Sequence, residues 1–208
     1  MADSLEDLGT ASMFPMELNW ATIPSSTIEY VRRIAEYRGT VQNLEQVLAD
    51  APIPFEARFT PFDKEEEYEL LDFFNDRRGM NQRFWIKHPR AHFTLKTTAT
   101  TGSSALTCEP NRAHIQYQGY ERIYIAMDDG DVLTRQVTSV VYNAGTDDQT
   151  VTINTVLDRD VTTINQNRIG RLLLVRFDSD TLTQRITNDR VCEIALKFYE
   201  LVSEYSVV

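Results

Sequence analysis

The chain is poor in lysine. Of its 21 basic residues only four are Lys (Lys64, Lys87, Lys96 and Lys197) and 17 are Arg, against 31 Asp and Glu, for a net charge of −10. That balance argues against a non-specific nucleic-acid binder, which needs a basic footprint. Cysteine is also scarce. Cys108 and Cys192 read as buried free thiols in a reducing cytoplasm, not as a disulfide framework. No apolar run approaches the roughly 18 residues of a membrane span, so no membrane insertion is expected. The acidic start Met1–Asp7 lacks the basic and apolar regions of a secretory signal. There is no Gly-x-Ser-x-Gly, no P-loop and no Gly-x-Gly-x-x-Gly, which removes the commonest signatures of nucleophilic and nucleotide chemistry.

What is there is a chain of ordinary folded composition, 42% hydrophobic and 25% charged. Residues 1–12 read as a flexible acidic arm. Phe14, Pro15, Leu18 and Trp20 begin a packed region. Residues 27–59 fit two patterns. Ile28, Val31, Ile34 and Ala35 suit a helix, whereas Ile28, Tyr30, Arg32 and Ile34 alternate, with Arg38-Gly39-Thr40 as a turn between extended pieces. Phe55, Ala57 and Phe59 alternate as a half-buried strand. A helix is predicted over 63–78. Asp63 and Glu66 make a capping box, Glu65, Glu66 and Glu67 suit the first turn, Leu70, Leu71, Phe73 and Phe74 form an apolar face, and Gly79 ends it.

Beyond Gly79 the pattern turns to strands. Residues 83–87 and the alternating Phe93, Leu95 and Thr97 read as two. Further strands are expected at 104–108, 121–127, 132–141, 150–156, 171–177 and 191–202. Of 22 Thr, 17 lie between Thr94 and Thr187, as suits exposed sheet faces. Asp129-Gly130 between two apolar runs is a hairpin signal. The spacing predicts a compact β-module, a small barrel or sandwich, over 96–170.

No catalytic, cofactor-binding or metal-ligating set emerges, and the chain does not read as an enzyme. His88 and His92 have metal-site spacing, but Pro89 lies between them. In an extended segment they would lie more than ~12 Å apart. Asp128, Asp129 and Asp131 faintly suggest a calcium loop, but strand residues follow at once, so a hairpin turn is expected. Asp178 and Asp180 could be paired catalytic carboxylates, yet Arg176 beside them favours structural ion pairing. Tyr117, Tyr120 and Tyr124 could stack on a carbohydrate if exposed. They would fill a core if not. Arg77, Arg78, Arg83, Lys87 and Arg90 with Phe84 and Trp85 suit a protein interface, where Arg and Trp are natural anchors.

The stretch Tyr68–Gly79, a helix ending in Phe73-Phe74 and then Arg77-Arg78-Gly79, is followed by Arg83-Phe84-Trp85-Ile86. Near the other end lies Leu174-Val175-Arg176-Phe177-Asp178-Ser179-Asp180 before a final strand. This order resembles the distal tail and minor tail (tail-hub) proteins of long-tailed bacteriophages and gene transfer agents. The chain departs from it in having Gln82-Arg83-Phe84-Trp85 where Gly-Phe-Arg-Phe is frequent, and in a longer middle module.

The resemblance implies an α+β, mostly β fold. A β-sandwich-like hub core would be formed by 13–95 and 171–208, with 96–170 as the inserted barrel or sandwich. It implies a structural virion protein, made in the host cytoplasm, that forms a homo-oligomeric ring, commonly sixfold. The ring would join the tail tube protein to baseplate hub or fibre proteins. A ring of this kind needs heterologous contacts, for which Arg77, Arg78, Arg83, Trp85, Arg176 and Asp178 are the candidates. Trp85 could equally be a core residue. The alternative function is a β-sandwich carbohydrate-binding or adaptor module.

Overall fold

The structure is a computed structural model. It describes residues 11–16, 25–26, 31–37, 40–47, 53–61, 63–88, 90–111, 121–188 and 191–201; for the strand residues of 25–55, 186–188 and 191–192 only the backbone is described. The expectation of an acidic arm falls largely on residues outside these. Ala11 is nonetheless buried, and the Ser12 carbonyl accepts a hydrogen bond from the Trp85 amide at 2.8 Å.

The described residues make a mostly-β protein with one α-helix. The chain divides into two compact units. A central unit comprises 83–174 with 1–18 and 205–208, and a flanking unit comprises 19–82 and 175–204. The divisions fall at 82/83 and 174/175, where the sequence suggested 95/96 and 170/171.

In the flanking unit, strands β1 (Ser25–Ser26), β2 (Val31–Tyr37), β3 (Thr40–Val47) and β4 (Ile53–Phe59) precede the helix α1 (Lys64–Arg77). The ambiguity over 27–59 resolves to strands: β2 and β3 pair as an antiparallel hairpin. Their turn residues Arg38 and Gly39 lie outside the described ones. Strands β11 (Thr183–Asn188) and β12 (Val191–Glu200) complete the unit. β12 pairs with β4 on one side and β11 on the other, all antiparallel. Strand β11 was not foreseen, because Thr183–Asn188 is polar and offers no alternating apolar signal.

The helix starts as its sequence dictates. Asp63 caps it by accepting from the Glu66 amide at 2.9 Å, satisfying one of the donors a helix start leaves open. Its packed side lies against Phe177, which in turn meets Phe198 of β12. Phe74 meets Phe177 at 4.8 Å between ring centroids, Phe73 meets Phe177 at 6.5 Å, and Phe177 meets Phe198 at 5.6 Å. Phe59, Phe177 and Phe198 are almost wholly buried, and each such ring contributes about 1.5–3 kcal/mol of burial.

In the central unit the strands are β5 (Phe84–Lys87), β6 (Ala105–Cys108), β7 (Arg122–Met127), β8 (Val132–Asn143), β9 (Asp148–Ile153) and β10 (Gln166–Phe177). β10 serves both units: Gln166–Arg171 pair with β7, and Val175–Phe177 pair with β12. The β7–β8–β9–β6 order is antiparallel throughout. The Asp129-Gly130 hairpin forms as expected, with Gly130 at φ 91°.

One expectation changes here. Phe93, Leu95 and Thr97 do not form a strand, since only single bridges occur, Phe93 to Ile169 and Leu95 to Cys108. The named strands form an open antiparallel sheet, and they do not by themselves show the expected inserted barrel or sandwich. Alternation sets their core. Leu106 and Cys108, Ile123, Ile125 and Met127, Leu133 and Val137, Val151 and Ile153, and Ile169 all enter one buried cluster, as the two-residue period of strands requires.

Candidate functional site

The end of α1 is built from both sequence stretches that carry the family resemblance. Arg77 closes the helix and lays its guanidinium 5.3 Å from the centroid of the Phe73 ring. Arg78 follows in the left-handed region, at φ 52° and ψ 48°, and its amide donates to the Asn75 carbonyl at 3.0 Å. Gly79 was expected to be the left-handed residue that ends the helix. Instead Arg78 takes that position and Gly79, at φ 59°, is a second one. Gly79 has a reason to lack a side chain. A Cβ there would lie 2.8 Å from the Cα of Asp180. The Asp180 carboxylate in turn accepts from the Met80 amide at 2.9 Å. Gln184 of β11 donates to Glu67 of α1 as a further tie.

Asp178 and Asp180 therefore act separately. Asp180 caps the backbone after α1. The Asp178 carboxylate accepts the Tyr199 hydroxyl, which pushes the Tyr199 pKa up, and the Asp178 amide donates to the Lys197 carbonyl at 2.8 Å. They do not form a paired acid and base.

The six candidate contact residues divide between the units. Arg77, Arg78, Arg176 and Asp178 belong to the flanking unit, and Arg83 and Trp85 to the central one. Arg78 is exposed, while Arg77, Arg83, Arg176 and Asp178 are half-buried. Trp85 is fully buried. The Arg122 guanidinium lies 5.2 Å from its ring centroid, and Phe14 stacks on neighbouring Phe84 at 5.8 Å. Trp85 is thus a core tryptophan in this chain.

The two histidines correct another expectation. Their rings approach to 4.5 Å between centroids, because the chain bends at Arg90, whose amide donates to His88 Nδ1 at 3.0 Å. The Arg171 amide donates to His92 Nδ1 at 3.4 Å. Burial, then the proximity of His92 and Arg171, lowers the His88 pKa to about 3; burial, then Arg171, lowers that of His92 to about 4. Both imidazoles are consequently neutral at pH 7. Nearby, Tyr124 is fully buried and donates its hydroxyl to the His88 carbonyl at 2.8 Å. Its ring lies against Gly170, where a Cβ would meet the Tyr124 hydroxyl at 2.8 Å. Tyr124 therefore offers no stacking surface to a carbohydrate. Tyr117, Tyr120 and His114 lie outside the described residues.

The acidic hairpin turn already holds a cation. Arg159 bridges Asp131 at 2.8 Å and Asp129 at 2.6 Å, and that guanidinium keeps the Asp129 carboxyl below its ordinary range. Among the described residues no three His, Cys, Asp or Glu side chains cluster as metal ligands. Burial pushes the Cys108 thiol up to about 12, so it is a poor nucleophile.

What sequence reasoning missed is the outer face of the β4–β12–β11 sheet. Arg58 bridges Glu193 at 3.2 Å and Glu56 at 3.8 Å there, and Lys197 and Arg185 are exposed beside them. Alternation along 191–200 already places Glu193, Ala195, Lys197 and Tyr199 on one face of a strand; which charges of β4 and β11 join them depends on strand register. No protein-family model matches the chain, and no curated protein matches it.

Proposed function

We propose that the protein is a structural subunit of a bacteriophage tail tip, assembling into a closed ring that joins the tail tube to baseplate or fibre proteins. The observation that supports this reading is the node at the end of α1. The Phe73-Phe74/Arg77-Arg78-Gly79 stretch and the Val175-Arg176-Phe177-Asp178/Asp180 stretch lie 100 residues apart. They pack as one element through Phe74 and Phe177 and through Asp180 on Met80. Two stretches that resemble one family separately therefore also serve one structural purpose. A ring subunit needs such a rigid node, because each joint repeats around the ring and errors in geometry accumulate. Sixfold order is the expected closure.

The central unit is, in the same reading, a small barrel. Phe93 bridges Ile169 of β10 and Leu95 bridges Cys108 of β6. This short segment would join the two ends of the β10–β7–β8–β9–β6 series. The shared apolar cluster drawn from each of those strands and from Phe93 and Leu95 is what a small barrel interior contains.

The test is mass and shape in solution. The full chain, alone and with the products of neighbouring genes, is studied by light scattering and by negative-stain microscopy across concentration. Rings of one fixed order are expected. A chain that stays monomeric at high concentration and with those partners present would overturn the reading.

A further inference from the structure

The flanking unit is a helix laid on a sheet, so it has two opposite outer surfaces. One is the solvent side of α1. Glu65, Glu69, Asp72 and Asp76 lie there at steps of four, three and four residues, all exposed. That spacing places them on one helical stripe. At ~1.5 Å per residue the stripe spans ~16 Å, a carboxylate every ~5.5 Å. Tyr68, 61% exposed, stands beside it.

The other surface is the side of the β4–β12–β11 sheet turned away from α1. Burial fixes which side that is. Ile194, Leu196 and Phe198 of β12 are buried, and Glu193, Ala195, Lys197 and Tyr199 alternate with them. Gln184, opposite Ile194, reaches Glu67 of α1, and Phe198 meets the Phe177 ring that packs on α1, so the buried side is the helix side. The register then orders the cations. Arg185 is opposite Glu193, Arg58 opposite Ala195, Lys197 follows on β12 itself, and Arg176 is opposite Tyr199. Measured along β12 the cations step ~6.6 Å over ~20 Å, staggered across strands β11, β4, β12 and β10.

The carboxylates on this sheet face have partners within the chain. Glu56 and Glu193 are bridged by Arg58, and Asp178 takes the Tyr199 hydroxyl. Exposed Arg185 and Lys197 form no ion pair among the described residues, nor do the four carboxylates of the α1 stripe. Two opposite faces of one unit thus differ in charge: four unpaired carboxylates line the α1 stripe, and the sheet face holds four cations against Glu56, Glu193 and Asp178, with Arg185 and Lys197 left over.

We infer that these two faces dock on one another between copies of this chain, the α1 stripe of one copy on the sheet face of the next. The occupant is a second copy because the complementary surface is present on the same molecule, and on its opposite side. Such a contact is heterologous and leaves one free face of each kind, so it propagates until it closes. Opposed charge rows also fix register, since a slip juxtaposes like charges or leaves ends unpaired. The inference rests on the ring reading and supplies its joint.

Charge reversal tests it. One variant carries Glu69→Lys and Asp72→Lys, and the other Arg185→Glu and Lys197→Glu. All four positions are exposed, and circular dichroism of each variant checks that it folds. Association is measured by light scattering at 50 and 500 mM salt. The expected results are three. The wild type assembles, at least tenfold more weakly at high salt. Each variant alone is at least tenfold weaker than wild type at low salt. An equimolar mixture of the two variants regains assembly, in alternating copies. If both variants assemble as the wild type does, or only one is impaired, or the mixture fails to recover, the joint lies elsewhere and this pairing is overturned while the ring reading stands. If the wild type itself never assembles, alone or with tail partners, both fall together.

Discussion

The two units treat their charges in opposite ways. In the central unit three cations are engaged within the chain. The Arg135 side chain is fully buried and binds Asp158 at 2.8 Å and the Thr134 carbonyl at 2.8 Å. Arg159 closes on Asp129 and Asp131. Lys96 donates to the carbonyls of Thr146 and Asp147 at 2.8 and 3.1 Å and lies 3.7 Å from Asp148. Each cation pins a turn or a loop. In the flanking unit the helix covers one sheet face with aromatic rings, and the other face is left as an open charged surface. The difference shows where a partner would find unmet electrostatics.

Removing the aromatic node should have the largest effect. Phe177→Ala deletes the ring shared by Phe73, Phe74 and Phe198 and is expected to cost about 3–5 kcal/mol, read by urea denaturation. A cost below 1 kcal/mol would mean the node is not a packed core.

Acid should come next, acting on the central unit. His88 and His92 are held neutral, with pKa values lowered from 6.5 to about 3 and about 4. The unfolded chain therefore binds more protons below pH 6.5. Their stabilising contribution is fully present above that value and is lost progressively as pH falls toward 4 and then 3. Among the described residues the charges facing the pair are Arg90 and Arg171, both cationic, and both oppose protonation. Urea midpoints from pH 7 to 4 should fall for wild type and fall less steeply for the H88N/H92N variant. Parallel curves would remove the histidines as the cause.

Asp158→Ala leaves the buried Arg135 guanidinium without its carboxylate and should cost about 1.5–3 kcal/mol. Lys197→Ala on the open sheet should change stability by no more than about 0.5 kcal/mol. Equal costs would erase the contrast between the two units. Between these in size and opposite in sign is Arg78→Gly. It relieves a left-handed residue at the helix end and should add up to about 1 kcal/mol. If Arg78 is also a subunit contact, the same variant becomes more stable yet assembles less well, and a loss of stability would show that its side chain matters within the chain.

Helix α1 was legible because its signals are local. The cap, the acidic first turn and the apolar face all lie within 63–79, and the observed helix is Lys64–Arg77. Strands β4 and β12 were legible from alternation, and β7 and β8 from the apolar runs on either side of the Asp129-Gly130 turn, for the same reason. The approach of His88 to His92 was not, because it depends on the bend at Arg90 rather than on spacing. The role of Trp85 was not legible either: an aromatic beside arginines suits an interface and a core equally, and burial decided it.

Residue types within a few positions of one another set the mostly-β character, the place of the helix and the supply of charge. Which arginines face inward depends on contacts between residues far apart in the chain. Arg135 and Arg159 meet carboxylates 23 and 30 residues away, and Arg185 and Arg58 come level with positions on β12 only through strand register. An excess of arginine over lysine says that planar, multidentate cations are in use. Whether a guanidinium pins a loop or faces a partner depends on what the fold brings within about 4 Å of it.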